Sequence, residues 1–229
     1  MSNKINRRSF GKGILYSCGL VGLLAVGKGA SSLIEPDEKF LRPPGAEDEK
    51  RFLGTCIKCG QCVQVCPYHA VKLLDIDHAA AMGTPVIIPQ ERGCYLCDLL
   101  PCVLSCPSEA LNHDVSDAVY VNMGKAVVVE ADYCLGMTGG TVSEEMVARL
   151  VAHGTKTEPE IELAEKLKSY IGKPCTICAD LCPYPDNVTA IGLVGEGKYK
   201  PEIREKCVGC GVCVELCPAE KNVFKINPR

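Results

Sequence analysis

The chain has 229 residues, of which 5% are aromatic, none is Trp and 17 are Cys, so its apolar core is thin and must be supplemented by disulfides, zinc or iron–sulfur clusters. Without residues 1–30, whose charged residues are all basic, 20 basic and 28 acidic residues remain, and the net charge is −8. An acidic body argues against binding to nucleic acid or anionic lipid and predicts basic surfaces on the partners.

The N-terminus has the pattern of an export signal. The sequence RRSFGK at residues 7–12 resembles the twin-arginine signal, and an apolar run over residues 13–27 follows it. This run contains Cys18, to which we assign no ligand role, and it is shorter than the roughly 20 residues of a membrane-spanning helix. We predict a signal peptide over residues 1–30 and a linker over residues 31–50. An ordinary secretory leader and an uncleaved membrane anchor are the alternatives.

Two cysteine motifs follow the linker. The first reads Cys56-x2-Cys59-x2-Cys62-x3-Cys66-Pro67, and the second reads Cys94-x2-Cys97-x4-Cys102-x3-Cys106-Pro107. The first has the spacing of bacterial ferredoxin loops, and the second is a variant with two more residues between its middle cysteines. Spacing of two residues lets one tight loop present three thiolates to a cubane cluster while its backbone N–H groups point at the sulfurs. We expect Gly60 at a place where a side chain would obstruct this turn.

The third motif is split. Cys175-x2-Cys178-x3-Cys182-Pro183 supplies three thiolates, and we assign the missing one to Cys134. The insert between these parts, about residues 137–173, predicts two helices. Thr141 and Glu144 resemble a capping box for the first helix, and the second is expected to begin after Pro159 and to run through Ile171. The insert is either a hairpin that docks a partner or shields a cluster, or a cap that only packs on the cluster body.

The last motif, Cys207-x2-Cys210-x2-Cys213-x3-Cys217-Pro218, repeats the spacing of the first, with Gly211 in the place of Gly60. Four Cys-Pro endings on three-thiolate loops have no rationale in zinc sites, and disulfides within Cys-x2-Cys pairs would be strained. We therefore predict four [4Fe–4S] clusters with all sixteen motif cysteines as ligands.

Short apolar segments follow the Cys-Pro endings at residues 70–74, 110–111, 190–194 and 223–226. This repeat predicts an α+β, loop-rich fold of duplicated bacterial ferredoxin-like units over residues 51–229.

The pairing of motifs is a separate prediction. In two-cluster ferredoxins the fourth Cys of a motif ligates the other cluster. Because the first and last motifs are alike, we expect a nested arrangement, with sequential pairing as the alternative. The four predicted ligand sets are Cys56, Cys59, Cys62 and Cys217; Cys207, Cys210, Cys213 and Cys66; Cys94, Cys97, Cys102 and Cys182; and Cys134, Cys175, Cys178 and Cys106.

Other chemistry has no comparable signal. The sequence contains no Cys-x2-Cys-His, which excludes covalent c-type haem on sequence. The four His residues form no spaced constellation, and His69 is interpreted at most as a modulator of a nearby cluster. No carboxylate pair or nucleophile arrangement stands out, so we predict an electron carrier and no substrate-transforming site.

Beyond the cysteines, several segments resemble the NapG/MauM family of ferredoxin-type proteins over nearly the whole chain. They are the twin-arginine leader, LRPPGA at residues 41–46, CIKCGQC at 56–62, GTP at 83–85 and LPCVLSCPSEAL at 100–111. The long insert before Cys175 departs from the family and puts the partner surface in doubt.

The resemblance implies a periplasmic protein, exported by the twin-arginine pathway, that relays electrons from a quinol-oxidising, NapH-type membrane ferredoxin towards a periplasmic nitrate reductase. It implies membrane association through that partner or through an uncleaved leader. Two alternatives stay open: an iron–sulfur beta-type subunit of another exported molybdopterin oxidoreductase, and a MauM-like maturation factor.

Overall fold

The computed structural model describes residues 39–152 and 156–229. The predicted signal peptide, Cys18 and the linker up to residue 38 lie outside the described residues. Within the described part, no helix is both long enough and apolar enough to cross a lipid bilayer.

The described strands form small antiparallel sheets of two strands each. β1 (Val71–Leu73) pairs with β2 (Pro85–Ile87), β3 (Gly124–Val128) with β6 (Phe224–Pro228), and β4 (Ile191–Val194) with β5 (Lys200–Ile203). The predicted apolar segments at 70–74, 190–194 and 223–226 are confirmed as strands. The segment at 110–111 forms only an isolated bridge, between Leu111 and Ala46.

Helices in the described residues are mostly short. They are α1 (Glu49–Thr55), α2 (Gln61–Gln64), α3 (Pro101–Leu104), α4 (Leu135–Thr138), α5 (Glu144–Val151), α6 (Glu158–Lys168), α7 (Ile177–Asp180), α8 (Asn187–Ala190) and α9 (Val212–Glu215), with 3₁₀ turns at Ile76–Ala81, Ala118–Tyr120 and Ala131–Tyr133.

One four-residue helix follows the same local pattern in each motif. In α2, α3, α7 and α9 the second residue is a motif cysteine: Cys62, Cys102, Cys178 and Cys213. α2 packs against α3, and α7 packs against α9. The repeat predicted from sequence is therefore visible in the backbone, and its helices pair between neighbouring motifs.

The glycines before α2 and α9 have different roles. Gly60 has φ 75° with no atom within 4 Å of where its Cβ would lie, so the turn needs its left-handed backbone and not empty space. Gly211 has φ 86°, and its Cβ would lie 2.8 Å from Cβ of Pro89. A side chain at Gly60 would thus meet a strained backbone without a steric clash, whereas one at Gly211 would meet the strained backbone and also Pro89.

Both predicted helices of the insert exist, with different ends. The N-cap of α5 is Ser143, whose hydroxyl accepts a hydrogen bond from the amide of Met146 at 3.2 Å. The predicted cap at Thr141 is wrong, because Thr141 pairs with Pro174 in a β-bridge. α6 begins one residue before Pro159 and ends at Lys168, because Ile171 forms a bridge with Val142 instead of continuing the helix.

The apolar core surrounds the cysteine loops. Its main cluster joins Phe52, Leu100, Leu111 and Phe224 with thiols of all four motifs. A second cluster joins the insert to the third and fourth motifs through Val142, Val147, Leu167, Ile177, Val212 and Leu216. The insert is therefore packed on the half of the protein that carries the later motifs.

Candidate iron–sulfur sites

The cysteine loops share an uncommon backbone conformation. The residue two positions after the first Cys has positive φ in three motifs: Lys58 (57°), Leu96 (47°) and Gly209 (72°). In the first two of these loops that residue's amide hydrogen-bonds to the cysteine thiol, at Cys56 and at Cys94. Left-handed backbone at Lys and Leu is unfavourable, so these loops use a costly conformation to turn an N–H towards sulfur.

The thiols of the first two motifs form two groups, which exchange their fourth members. Burial, followed by the nearby thiols of Cys56, Cys106 and Cys59, raises the pKa of Cys62 to about 11. These four thiols are here called group A. Burial, followed by the nearby thiols of Cys66 and Cys97, raises the pKa of Cys102 to about 12. Group B consists of Cys66, Cys94, Cys97 and Cys102.

The third and fourth motifs repeat this exchange. Burial, together with the nearby thiols of Cys182 and Cys207, raises the pKa of Cys210 to about 12. Group C consists of Cys182, Cys207, Cys210 and Cys213. Burial and then the thiols of Cys175, Cys134 and Cys217 raise the pKa of Cys178. Group D consists of Cys134, Cys175, Cys178 and Cys217, so Cys134 lies beside the split motif to which it was assigned.

These groupings contradict the nested arrangement. Cys66 lies with Cys97 and Cys102 and not with the last motif, and Cys182 lies with Cys207 and Cys210 and not with the second. Cys106 and Cys217 are likewise exchanged between sequence neighbours, with Cys62 and Cys178. The sequential alternative is the arrangement that the structure has, because elements close in sequence pack together at low cost in loop closure.

Group B and group C each line an enclosed apolar cavity. All four thiols of group B line one cavity, with Pro67, Leu100 and Pro101 among its other walls. All four thiols of group C line another, together with Ala126, Ile191 and Ile226. Among the residues that the structure describes, no three Cys, His, Asp or Glu side chains converge on a site for a single metal ion. The thiols of groups B and C instead surround a cavity each.

Backbone amides donate hydrogen bonds to several of the motif thiols. The amides of Ala70, Leu111 and Ala126 donate to the sulfurs of Cys66 at 3.3 Å, Cys106 at 3.5 Å and Cys207 at 3.5 Å. Buried thiols resist ionisation, and both N–H donors and metal coordination favour the thiolate. Thiols around an apolar cavity, with N–H donors at the sulfurs, fit an iron–sulfur cluster.

Electrostatic interactions between thiols of different groups give the order A, B, C, D. The thiol of Cys102 (group B) interacts electrostatically with that of Cys62 (group A). Cys94 (group B) interacts with Cys210 (group C), and Cys213 (group C) with Cys178 (group D). Each group thus neighbours the next along the sequence of contacts.

The junction between groups B and C is made by backbone. The amide of Cys94 donates to the carbonyl of Cys210 at 2.7 Å. A Cβ added to Gly93 would lie 2.5 Å from the amide nitrogen of Val212. Only Gly lets the two main chains approach this closely.

A buried ionic network near this junction has no counterpart in the sequence analysis. Arg92 donates to a carboxylate oxygen of Glu215 at 3.0 Å, and its guanidinium lies 3.6 Å from Glu160 of the insert. Glu215 also accepts from the amide of Gly93 at 2.7 Å. Burial raises the pKa of Glu215, although the amide of Gly93 and Arg92 lower it in part. The network links the first half of the protein, the insert and the last motif.

Glu160 is the centre of the network on the insert side. It is 3% exposed, and it accepts from the amides of Lys156 and Thr157 at 2.8 and 3.0 Å. His69 lies 3.0 Å from its other oxygen. Burial alone would raise the pKa of Glu160, but these hydrogen bonds and Arg92 together lower it to about 2. His69, interpreted from sequence as a cluster modulator, is here a partner of Glu160.

Comparison with known proteins agrees with this organisation. Residues 55–110 match the 4Fe–4S dicluster domain, which spans the first two motifs, and residues 201–220 match the 4Fe–4S binding domain. A domain that holds two clusters with motifs adjacent in sequence is consistent with the sequential pairing. No solved structure matches the chain.

Curated relatives cover most of the chain. The methylamine utilization ferredoxin-type protein MauM of Methylorubrum extorquens is 30% identical over 90% of this chain and 80% of its own length. That of Paracoccus denitrificans is 30% identical over 84% of this chain and 73% of its own length. The ferredoxin-type protein NapG of Escherichia coli is 29% identical over 97% of this chain and 85% of its own length. The chain is an iron–sulfur electron-transfer protein that belongs to the NapG/MauM family of ferredoxin-type proteins.

Proposed function

We propose that the protein carries four [4Fe–4S] clusters, one in each of groups A to D, and serves as a multi-cluster electron relay. The observation that carries this proposal is the order A, B, C, D in which the thiols of the four groups interact with one another. A bound cluster of this type gains and loses one electron, with a potential set by hydrogen bonds to sulfur and by exposure. The role of the protein is to hold the sulfurs, to exclude water and to fix the spacing between the four sites.

The surroundings of the thiols suit that role unequally. Cys59 of group A is exposed, whereas Cys94 and Cys102 of group B are buried. Ile57, which precedes Cys59 by two residues, is 63% exposed. Electron transfer needs a short distance between the partner and the site. Group A is therefore the end of the order A to D at which a partner can approach closely.

For the partners, the family points to a periplasmic setting. The proposed donor is a NapH-type membrane ferredoxin that oxidises quinol, and the proposed acceptor is a periplasmic nitrate reductase. Support for this comes from the twin-arginine-like leader and from the NapG relatives. Membrane association would come through the partner or an uncleaved leader.

A second candidate has support from the names of other relatives. The MauM proteins, whose names refer to methylamine utilization, match as closely as NapG. A role in methylamine utilization, as an electron carrier or a maturation factor, is therefore the second proposal. Deletion of the gene distinguishes the cases: a maturation factor leaves an unprocessed target protein, whereas an electron carrier leaves a complete target that receives no electrons.

The cluster count has a direct test. Protein purified anaerobically after cytoplasmic expression is expected to be brown and to contain about sixteen iron and sixteen acid-labile sulfur atoms per chain. Iron and sulfide assays measure both. Near-stoichiometric zinc with little iron would overturn the proposal, and about eight iron atoms would reduce it to two clusters.

A further inference from the structure

A groove of about 490 Å³ runs between helix α6 of the insert and the cysteine loops. α6 contributes Pro159 and Leu163 to one wall, and the loops contribute Tyr68 and Leu181 to the other. The groove lies within the ~300–1,000 Å³ range of ligand-binding clefts. It therefore has the size of a binding site and a partly apolar lining.

The groove reaches two of the motif thiols. Cys97 of group B and Cys182 of group C both line it, and both are partly exposed. Groups B and C are the middle members of the order A to D. A molecule in this groove would therefore lie beside the junction between groups B and C and not at either end. This is a point of approach in addition to the one at Cys59.

The insert wall is fixed to the body by polar contacts. The hydroxyl of Thr157 donates to the carbonyl of Pro67 at 2.7 Å, and Glu160 is held by His69 and Arg92. Tyr68, which follows Pro67, stacks on Tyr95 with ring centroids 4.1 Å apart. Because both walls are anchored at the N-terminal end of α6, the groove is formed in advance of binding, which lowers the entropic cost of association.

The charges of the groove indicate what it can accept. Asp98, Glu162 and Asp180 line it against one cation, Lys166, so its side chains carry a net charge of −2. Asp98, Glu162 and Lys166 are exposed. Thiolate-bound clusters beneath the groove would add negative charge. An anionic ligand is therefore repelled and a cationic one attracted.

A second groove provides the contrast. It opens beside Cys207, also of group C, and its charged side chains are Lys125, Lys206, Arg229 and Glu205. Its net side-chain charge is +2, opposite to that of the first groove. The same thiol group is thus bordered by an acidic surface and by a basic one.

We propose that the acidic groove is the docking site for a basic, partly apolar segment of a protein redox partner, which it places beside Cys97 and Cys182. The basic groove at Cys207 does not accept that partner. This inference rests on the electron-relay function proposed above, and it assigns the insert to docking instead of to packing alone.

The experiment uses the holoprotein and a defined basic probe, mitochondrial cytochrome c. Binding is measured anaerobically by isothermal titration calorimetry at low and at physiological ionic strength. The variants are Asp98→Lys and Glu162→Lys in the acidic groove, with Glu205→Lys in the basic groove as a control with the same change of charge. Cluster absorbance and iron content verify each variant.

Wild-type protein is expected to bind the probe at low ionic strength and to lose affinity as salt is added. Each groove variant is expected to bind about tenfold more weakly, and Glu205→Lys to remain within about twofold of wild type. Carbodiimide cross-linking and mass spectrometry are expected to join lysines of the probe to Asp98, Glu162 or Asp180.

Three results would overturn the docking site: no salt-sensitive binding, equal weakening by Glu205→Lys, or cross-links concentrated on carboxylates outside the groove. None of them bears on the iron and sulfide content. A protein without iron would instead refute the relay, whatever its affinity for the probe.

Discussion

Replacement of Glu160 by Gln tests whether the buried network holds the insert in place. The carboxylate is 3% exposed and accepts hydrogen bonds from two backbone amides, with His69 and Arg92 beside it. Gln has nearly the same shape but mimics the neutral acid. The substitution therefore removes the negative charge while it leaves the packing almost unchanged.

The magnitude follows from the pKa of Glu160, about 2 in the fold against 4.5 for the ordinary group. At about 1.4 kcal/mol per pH unit, ionised Glu160 stabilises the fold by about 3 kcal/mol. Because the folded pKa is the lower one, this contribution is complete above about pH 4.5 and is lost as the pH falls towards 2. A measurement at pH 7 contains all of it.

Native-state hydrogen exchange of the holoprotein at pH 7 is the assay, because it reports local opening without global unfolding. The amides of α6 are expected to exchange up to about a hundredfold faster in Glu160→Gln, at about 1.4 kcal/mol per factor of ten. Glu165→Gln on the same helix is the control. Its carboxylate is exposed and pairs with Lys168, so exchange is expected to change by less than about threefold. Equal protection of α6 in the two variants would refute the reasoning.

Two further predictions concern the thiol groups and the leader. In Cys66→Ser, loss of one cluster is expected to lower the iron content by about four atoms, and alkylation of the native protein should then label Cys94, Cys97 and Cys102. Labelling of Cys207, Cys210 and Cys213 in their place would restore the nested pairing. Replacement of Arg7 and Arg8 by Lys is expected to leave folded protein in the cytoplasm, since the twin-arginine pathway reads that pair; cell fractionation measures it, and unchanged export would point to another route.

Local features of the fold were accessible from sequence. The position of Cys62 within its motif predicts the loop around it, and the apolar segments at 190–194 and 223–226 predict strands. Both insert helices were predicted, although the ends expected at Thr141 and Ile171 were not confirmed. These features depend on residues close together in the chain, whose spacing and side-chain type act directly on the backbone.

Features that join distant segments were not accessible. Motif similarity suggested that Cys66 belongs with the last motif, but resemblance between two loops does not state which loops are neighbours. Strand β3 was missed because its residues pair with β6 about a hundred positions later. Arg92, Glu160 and Glu215 look like ordinary surface charges in sequence, since nothing local indicates that the fold will bury them together. For such residues only the three-dimensional contacts reveal the role.

The backbone junction at Gly93 and Cys94 determines which substitutions can change the distance between groups B and C. At an interface that is packed through side chains, each substitution changes the side-chain volume. The distance between the two packed surfaces then changes as well. Here the main chains of residues 93–94 and 210–212 meet directly, so the separation is set by backbone atoms and by the absence of a side chain at Gly93. Tunnelling slows steeply with distance, and a contact of this kind keeps the distance constant. Substitutions at the surface of this protein can therefore change where partners dock while the distance between groups B and C stays the same.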